Sequence, residues 1–379
     1  MKKQPSSAKQ NGTVSVLVAL ALIVLAGFGA FAVDLGYLKW KRGQMQAAAD
    51  AAALAGAMAK VSFGTDTAKI VSEAVTYGRA NVVATDNPVL AVRDEDVTIN
   101  TTGLGYVEVT AGLTTGRGNP VSLFLGPILG RNLADVSATA RASIWCATSS
   151  HCIKPWAIPT KFTWTDYPDK KGKYNGLLDV DSPSEMATVA ITEPGYTSAD
   201  VGTLLTIKTG SPSSNTTLVP GQYNPILFPG DHGGDDYRAD IEGCKNNNID
   251  VGSNDVVSLT AKPGEMVGPT KQGVTYLIDQ DPTAYWDAAN NVIAGSKFSD
   301  PLASPRVAII AFYDPRSPPT SGLSSVKVYQ LGAMFIKEID GSGNVTGYFM
   351  NALAESPTRD PGGTCGTLFG VSLVRDSSR

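Results

Sequence analysis

The longest uncharged apolar run of the chain lies near its start. Thr13 to Val33, TVSVLVALALIVLAGFGAFAV, holds no charged residue over 21 positions. At 1.5 Å rise per residue it makes about 30 Å of helix, the hydrocarbon thickness of a bilayer, and so predicts a transmembrane helix. The helical pattern continues past the span. From Asp34 to Lys60 there is no Pro and little β-branching, and nine Ala fall between Ala47 and Ala59. Leu38, Met45, Ala48, Ala52, Ala55 and Ala59 recur at three- and four-residue spacing along one seam, while Lys39, Arg42, Gln46 and Asp50 follow the other side. A seam of small apolar residues admits close packing, against either a partner or the protein's own body.

Beyond it, Thr67 to Asn81 predicts a second helix with Asp66 as N-cap and Ile70, Ala74 and Tyr77 on one face, broken at Asp86, Asn87 and Pro88. Asp96 to Thr101 and Tyr106 to Thr110 read as a hairpin across Gly103 and Gly105. Pro120 to Leu129 reads as a helix or turn, and Asp135 to Trp145 as a strand alternating Val136, Ala138, Ala140, Ala142 and Ile144 with polar neighbours. After Cys146 the chain turns rich in Pro, Gly, Asn and Asp. Strands are predicted at Ala187 to Thr192, Thr203 to Lys208, Val256 to Ala261, Val274 to Ile278, Arg306 to Tyr313, Val326 to Lys337, Val345 to Met350 and Leu368 to Val374. Val201 to Pro229 otherwise reads as a long irregular region. Trp156, between Pro155 and Pro159, reads as a buried plug or rim residue. The predicted fold is α+β: residues 1–12 a tail, 13–33 the span, 34–145 a region with a long helix on a small sheet, and 146–379 a β-rich domain.

Composition narrows the function. With 31 basic and 35 acidic residues in 379, a net charge of −4 gives no footprint for nucleic acid. Lys2, Lys3 and Lys9 precede the apolar run and Lys39, Lys41 and Arg42 follow it, so charge alone leaves orientation balanced. The same basic start suits a cleaved secretory signal, but the length of the run favours a retained span. Cys146, Cys152, Cys244 and Cys365 all follow the span, which suits an oxidising exterior and a cytoplasmic N-terminus. They lack the short paired spacings of zinc sites and read as disulfide candidates, with three connectivities open.

The segment from Gly12 to Met58 resembles the N-terminal module of the Tad-like (TadE/TadG-like) Flp pilus-assembly proteins. Gly12 stands before the span, the Val-Asp-Leu-Gly step is Val33, Asp34, Leu35 and Gly36, and the following run is Gln46, Ala49, Asp50, Ala51, Ala52, Ala53, Leu54 and Ala55. The resemblance implies a bacterial, single-pass envelope protein with a cytoplasmic tail over 1–12, a pilin-like α+β region over 34–145 and an extracytoplasmic domain over 146–379, whose partners are the membrane and other pilus-assembly proteins or pilin subunits. It does not imply an enzyme, and no cofactor is expected. The Glu that type IV prepilins carry five residues after the processing Gly is absent, since Thr13, Val14, Ser15, Val16 and Leu17 follow Gly12. No Asp-x-Ser-x-Ser metal string occurs either. IKPWAIPT, Ile153 to Thr160, and KPGEMVGPT, Lys262 to Thr270, resemble elements of the longer relatives' extracytoplasmic domains.

Other candidate chemistry is sparse. His232 sits among Asp231, Asp235 and Asp236 in a glycine-rich loop without a D-x-D-x-D-G calcium frame. Asp340 to Asn344 reads as a hairpin turn, and His151 after Ser149 and Ser150 has no G-x-S-x-G context. On the anchor helix, Asp34 reads as a hydrated boundary marker, and Asp50 as solvated surface or the pair of a basic group on a neighbouring subunit. The reading is a non-enzymatic pilus-assembly component with no small-molecule substrate. The alternatives are an anchored envelope hydrolase or an ion-binding surface adhesin.

Overall fold

The computed structural model describes residues 11–168, 172–187, 191–192, 195–209, 217–218, 222–243, 249–251, 258–261, 266–319, 324–355, 357 and 366–374. It is an α+β protein, as the pattern predicts. Helix α1 (Asn11–Phe63) runs unbroken for 53 residues, about 80 Å at the helical rise. It stops at Gly64, whose φ of +59° supplies the left-handed residue that commonly closes a helix.

The two halves of α1 meet different surroundings. Among residues 14–33 Ala30 alone is buried. Downstream, Met45, Ala48, Ala49, Ala52, Ala53 and Ala57 are fully buried. Their cover is the protein's own body: helix α2 (Thr67–Ala80) on one side, and on the other the sheet containing β2 (Tyr106–Leu113) and β5 (Val136–Cys146). Small residues set the spacing. A Cβ on Gly56 would lie 2.8 Å from Val107 Cγ1 and 3.1 Å from Ala74 Cβ, and one on Gly78 3.0 Å from Ala52 Cβ. Neither of these contacts leaves room for a larger side chain.

The caps and alternations follow the sequence. The Asp66 carboxylate accepts from Lys69 N at 3.1 Å and caps α2, but Ile70, Ala74, Val75 and Gly78 form its buried face, and Tyr77, predicted on it, is exposed. Valine in place of tyrosine completes the stripe, since Val75 lies one residue beside Ala74. Strand β1 (Val97–Asn100) pairs with β2 as the predicted hairpin, Asn100 opposite Tyr106, with Gly103 and Gly105 at positive φ. β5 pairs with β2 and buries Val136, Ala138, Ala140, Ala142 and Ile144. Pro120 to Leu129 is neither one helix nor one turn: β3 (Val121–Ser122) pairs with β4 (Leu133–Ala134), and a 3₁₀ turn at Gly126–Leu129 lies in the loop between them. Leu368–Leu373, expected with the strands after Cys146, pairs instead with β5, so the end of the described chain returns to the first sheet.

The second sheet orders Leu204–Thr209, Val345–Met350, Ser324–Ile339, Ser258–Ala261, Gln222–Leu227, Ile153–Pro159 and Val307–Tyr313. Two further pairings, Leu204–Thr209 with Gln222–Leu227 and Val307–Tyr313 with Ser324–Ile339, close it on itself. Val307–Tyr313 is buried on both faces, which explains its continuous apolar run. Within Val201 to Pro229, Leu204–Thr209 is the strand expected at Thr203 to Lys208, and Gln222–Leu227 is a second strand of this sheet where irregular chain was expected. Pro155, which lacks an N–H for a ladder, falls where the register between Ile153–Pro159 and Val307–Tyr313 shifts.

Two helices pack on this sheet. Val267–Gln280 overturns the strand expected at Val274 to Ile278: Thr270, Gly273, Val274 and Leu277 are its buried stripe, a helical period that the β-branched composition of the short run obscured. Gly234–Glu242 occupies the Gly-rich stretch read as a loop. Lys154 and Trp156, two apart and so on one face of their strand, hold it. Lys154 Nζ donates to Ile241 O at 2.6 Å and Gly243 O at 3.0 Å, and Trp156 Nε1 donates to Tyr237 Oη at 2.9 Å. Trp156 is thus a buried plug. Of Lys262 to Thr270, residues 262–265 lie outside the described residues, and Val267 to Thr270 open the second helix. Of Ala187 to Thr192, Ile191–Thr192 is a strand and 188–190 lie outside the described residues, as do Val256 and 257 of Val256 to Ala261.

Candidate functional site: the anchor helix and its exit

The apolar half of α1 holds an 18-residue window of mean hydropathy 2.8, of which 6% is buried, and fits a single-pass membrane protein. Its predicted boundary falls at Val33, and the next residue is where the body takes hold. Asp34, expected as a hydrated marker, is 7% exposed. Its Oδ1 accepts from Phe124 N at 2.8 Å, and its Oδ2 accepts from Leu125 N at 3.1 Å. A carboxylate taking two amides satisfies donors that the tight β3–β4 loop cannot pair internally, and charge strengthens both bonds. The acid is therefore a clamp that fixes the loop to the helix at the foot of the span.

One turn on, Tyr37 packs its ring against Phe124, centroids 4.8 Å apart. Lys41, 4% exposed, pairs with Asp86 at 2.6 Å and lies over the Trp40 ring at 4.9 Å. A lysine this deep is held by its partner and by the aromatic faces. Further along, Gln46 Nε2 donates to Asp50 Oδ1 at 2.8 Å, so Asp50 is engaged within its own helix.

The motif residues thus divide by role. Ala49, Ala52 and Ala53 are buried, and Leu54 packs partly on the same core. Ala51 is half-buried, whereas Val33, Leu35 and Gly36 are exposed around the clamp. Gly12 lies in the first turn of α1. Sequence reasoning missed Phe124, Leu125, Lys41 and Asp86. The signal for the loop was the uncharged apolar string from Val121 to Gly130, and for the ion pair there was none.

The remaining candidates resolve into local structure. Asp231 Oδ2 accepts from Phe228 N and Asp236 Oδ2 from His232 N, both before or within the first turn of Gly234–Glu242, and Asp235 lies 3.6 Å from Arg238. Among the described residues no three His, Cys, Asp or Glu side chains are grouped as metal ligands. Asp340 accepts from Asn344 Nδ2, Asn344 N and Ser342 N in the hairpin between two strands, contacts that pull its carboxyl below the usual range. Ser150 Oγ donates to His151 O and accepts from Glu355 N, tying two backbone segments. Cys146 and Cys152 are not free, and Cys244 and Cys365 lie outside the described residues. A cavity of about 450 Å³ is lined by Cys152, Lys154, Glu242, Leu302, Ser304 and Glu355, among others.

Residues 12–59 match the Tad family model, a TadE/G-like Flp pilus-assembly domain. The match begins just before the span and ends four residues before the end of α1, covering the clamp and the buried Ala seam. No curated protein matches the chain, and no solved structure does.

Proposed function

We propose that the chain is a membrane-anchored, non-enzymatic component of a Tad/Flp (type IVb-like) pilus assembly system, with residues before the span in the cytoplasm and the body outside the membrane. The observation that carries the reading is the family match, because it falls on the anchor helix and its exit. The helix has an open face suited to a partner. Gly29, Gly36 and Gly43 recur every seven residues, and a Cβ built on any of them meets nothing within 4 Å. Such a face lets a second helix, from a pilin subunit or an assembly protein, approach closely. Outside the membrane, the body acts by protein contact. Its cysteines belong to the same reading: Cys146, Cys152, Cys244 and Cys365 are disulfide candidates suited to an oxidising compartment, with all three connectivities open.

Affinity capture of the full chain from detergent-solubilised membranes tests this function. Pilus or secretion-system subunits co-purify if the reading holds. Recovery of none of them, from membranes that contain the system, contradicts it.

A further inference from the structure

We infer that the loop between β3 and β4 is a second membrane-contacting element, seated in the interfacial layer of the leaflet through which α1 leaves the bilayer. The inference rests on the reading of residues 13–33 as a span, and on nothing about pili. Three observations place the loop at that depth. The Asp34 carboxylate, one residue past the span, holds the amides of Phe124 and Leu125. The 3₁₀ turn Gly126–Leu129 lies against α1. Ala30, one helical turn before Asp34 and inside the span, is 5% exposed, so the body reaches about 4.5 Å below the span's end at Val33.

The loop's surface is suited to lipid. Phe124 is 63% exposed, Ile128 75% and Leu133 48%, and from Val121 to Ala134 the single charged residue is Arg131, itself exposed. An aliphatic tip with one basic residue matches an interfacial segment that buries apolar side chains and lifts a cation to the headgroups. The neighbouring helix surface is of the same kind: Phe28 and Phe31 are exposed within the span, and Tyr37 and Trp40 form an aromatic belt just beyond it. The apolar surface of the loop is thus continuous with that of the transmembrane helix. The occupant it fits is the bilayer that the helix already crosses.

The test uses the full chain reconstituted into phosphatidylcholine vesicles, with Ile128→Trp and, separately, Leu133→Trp supplying the probe. Both positions are exposed, so neither substitution burdens the core. Tyr77→Trp serves as control. It is exposed on α2, beside Gly78, whose Cβ would touch Ala52, about 27 Å along the helix from Asp34. After subtraction of the wild-type signal, lipids brominated near the headgroup are expected to quench the two loop probes at least twofold more than the control, and more than lipids brominated deep in the chain. Loop probes quenched no more than the control overturn the inference, whether their emission is that of water or of a protein-covered site. Flotation of the vesicles reports the span independently. A chain that floats with unquenched loop probes removes the loop from the membrane and leaves the span standing, and a chain that does not float removes both.

Discussion

Asp34 shows how much a single side chain decides here. Its position in a Val-Asp-Leu-Gly step was visible in the sequence, but its partners lie 90 and 91 positions away, and no local pattern encodes a contact of that separation. The role read from the sequence, a hydrated boundary marker, therefore gave way to a buried acceptor. Asp34→Ala leaves the Phe124 and Leu125 amides without their acceptor, a loss of about 1–3 kcal/mol in a group tied to charge. Hydrogen exchange read by mass spectrometry should show faster exchange across residues 121–134 in the variant, with α2 unchanged. Gly56 and Gly78 make the complementary point, that space is as specific as polarity. Gly56→Val and Gly78→Val force side chains into 2.8 Å and 3.0 Å contacts, and each should lower unfolding stability by about 1–3 kcal/mol in a denaturant titration. The Ala seam was legible because small residues at helical spacing are a local signal, whereas the surface that covers it was not.

Elements were readable where their period was long and unambiguous. α2, the β1–β2 hairpin, β5 and Val345–Met350 stand where the pattern placed them, because caps, turn glycines and alternation agree. Val267–Gln280 was misread because five apolar and β-branched residues fit a strand as well as one helical face. Gly234–Glu242 was missed because its glycines and acids look like a turn. Its stability comes from outside, through Trp156 and Lys154. Burial lowers the Lys154 ammonium to about 8, against the pull of Asp240. Burial, with Asp236 nearby, raises the Asp240 carboxyl to about 6, while Lys154 opposes the shift. The folded state therefore binds the Asp240 proton more tightly than the unfolded chain, and stability falls as pH rises from about 4 to 6. It holds the Lys154 proton less tightly, so stability rises again between about pH 8 and 10.5. Thermal unfolding across pH should show both limbs, and Asp240→Asn should flatten the lower one and, by removing the carboxylate that holds the Lys154 proton, start the upper one at lower pH.

At the scale of the molecule, α1 joins an apolar half that fits a membrane span to a half that is a core helix, and the division between them lies at Asp34. The first half exposes apolar side chains, and the second is enclosed by α2, β2 and β5. The first sheet gains a strand from residues 368–373, so both ends of the described body meet beside the anchor. That closure was not legible, because strand order is set by long-range pairing and the composition shift after Cys146 pointed to a separate unit. A body docked to its own anchor cannot swing freely on a linker, and the partners of the proposed assembly would meet it at a fixed height above the bilayer.

The central claim is that the helix remains in the membrane as part of the mature chain. Alkaline carbonate extraction of membranes, with intact-mass measurement of the recovered protein, tests it most directly. The account predicts a protein that stays with the lipid pellet and whose mass includes residues 13–33. A soluble protein whose mass begins beyond Val33 would contradict it.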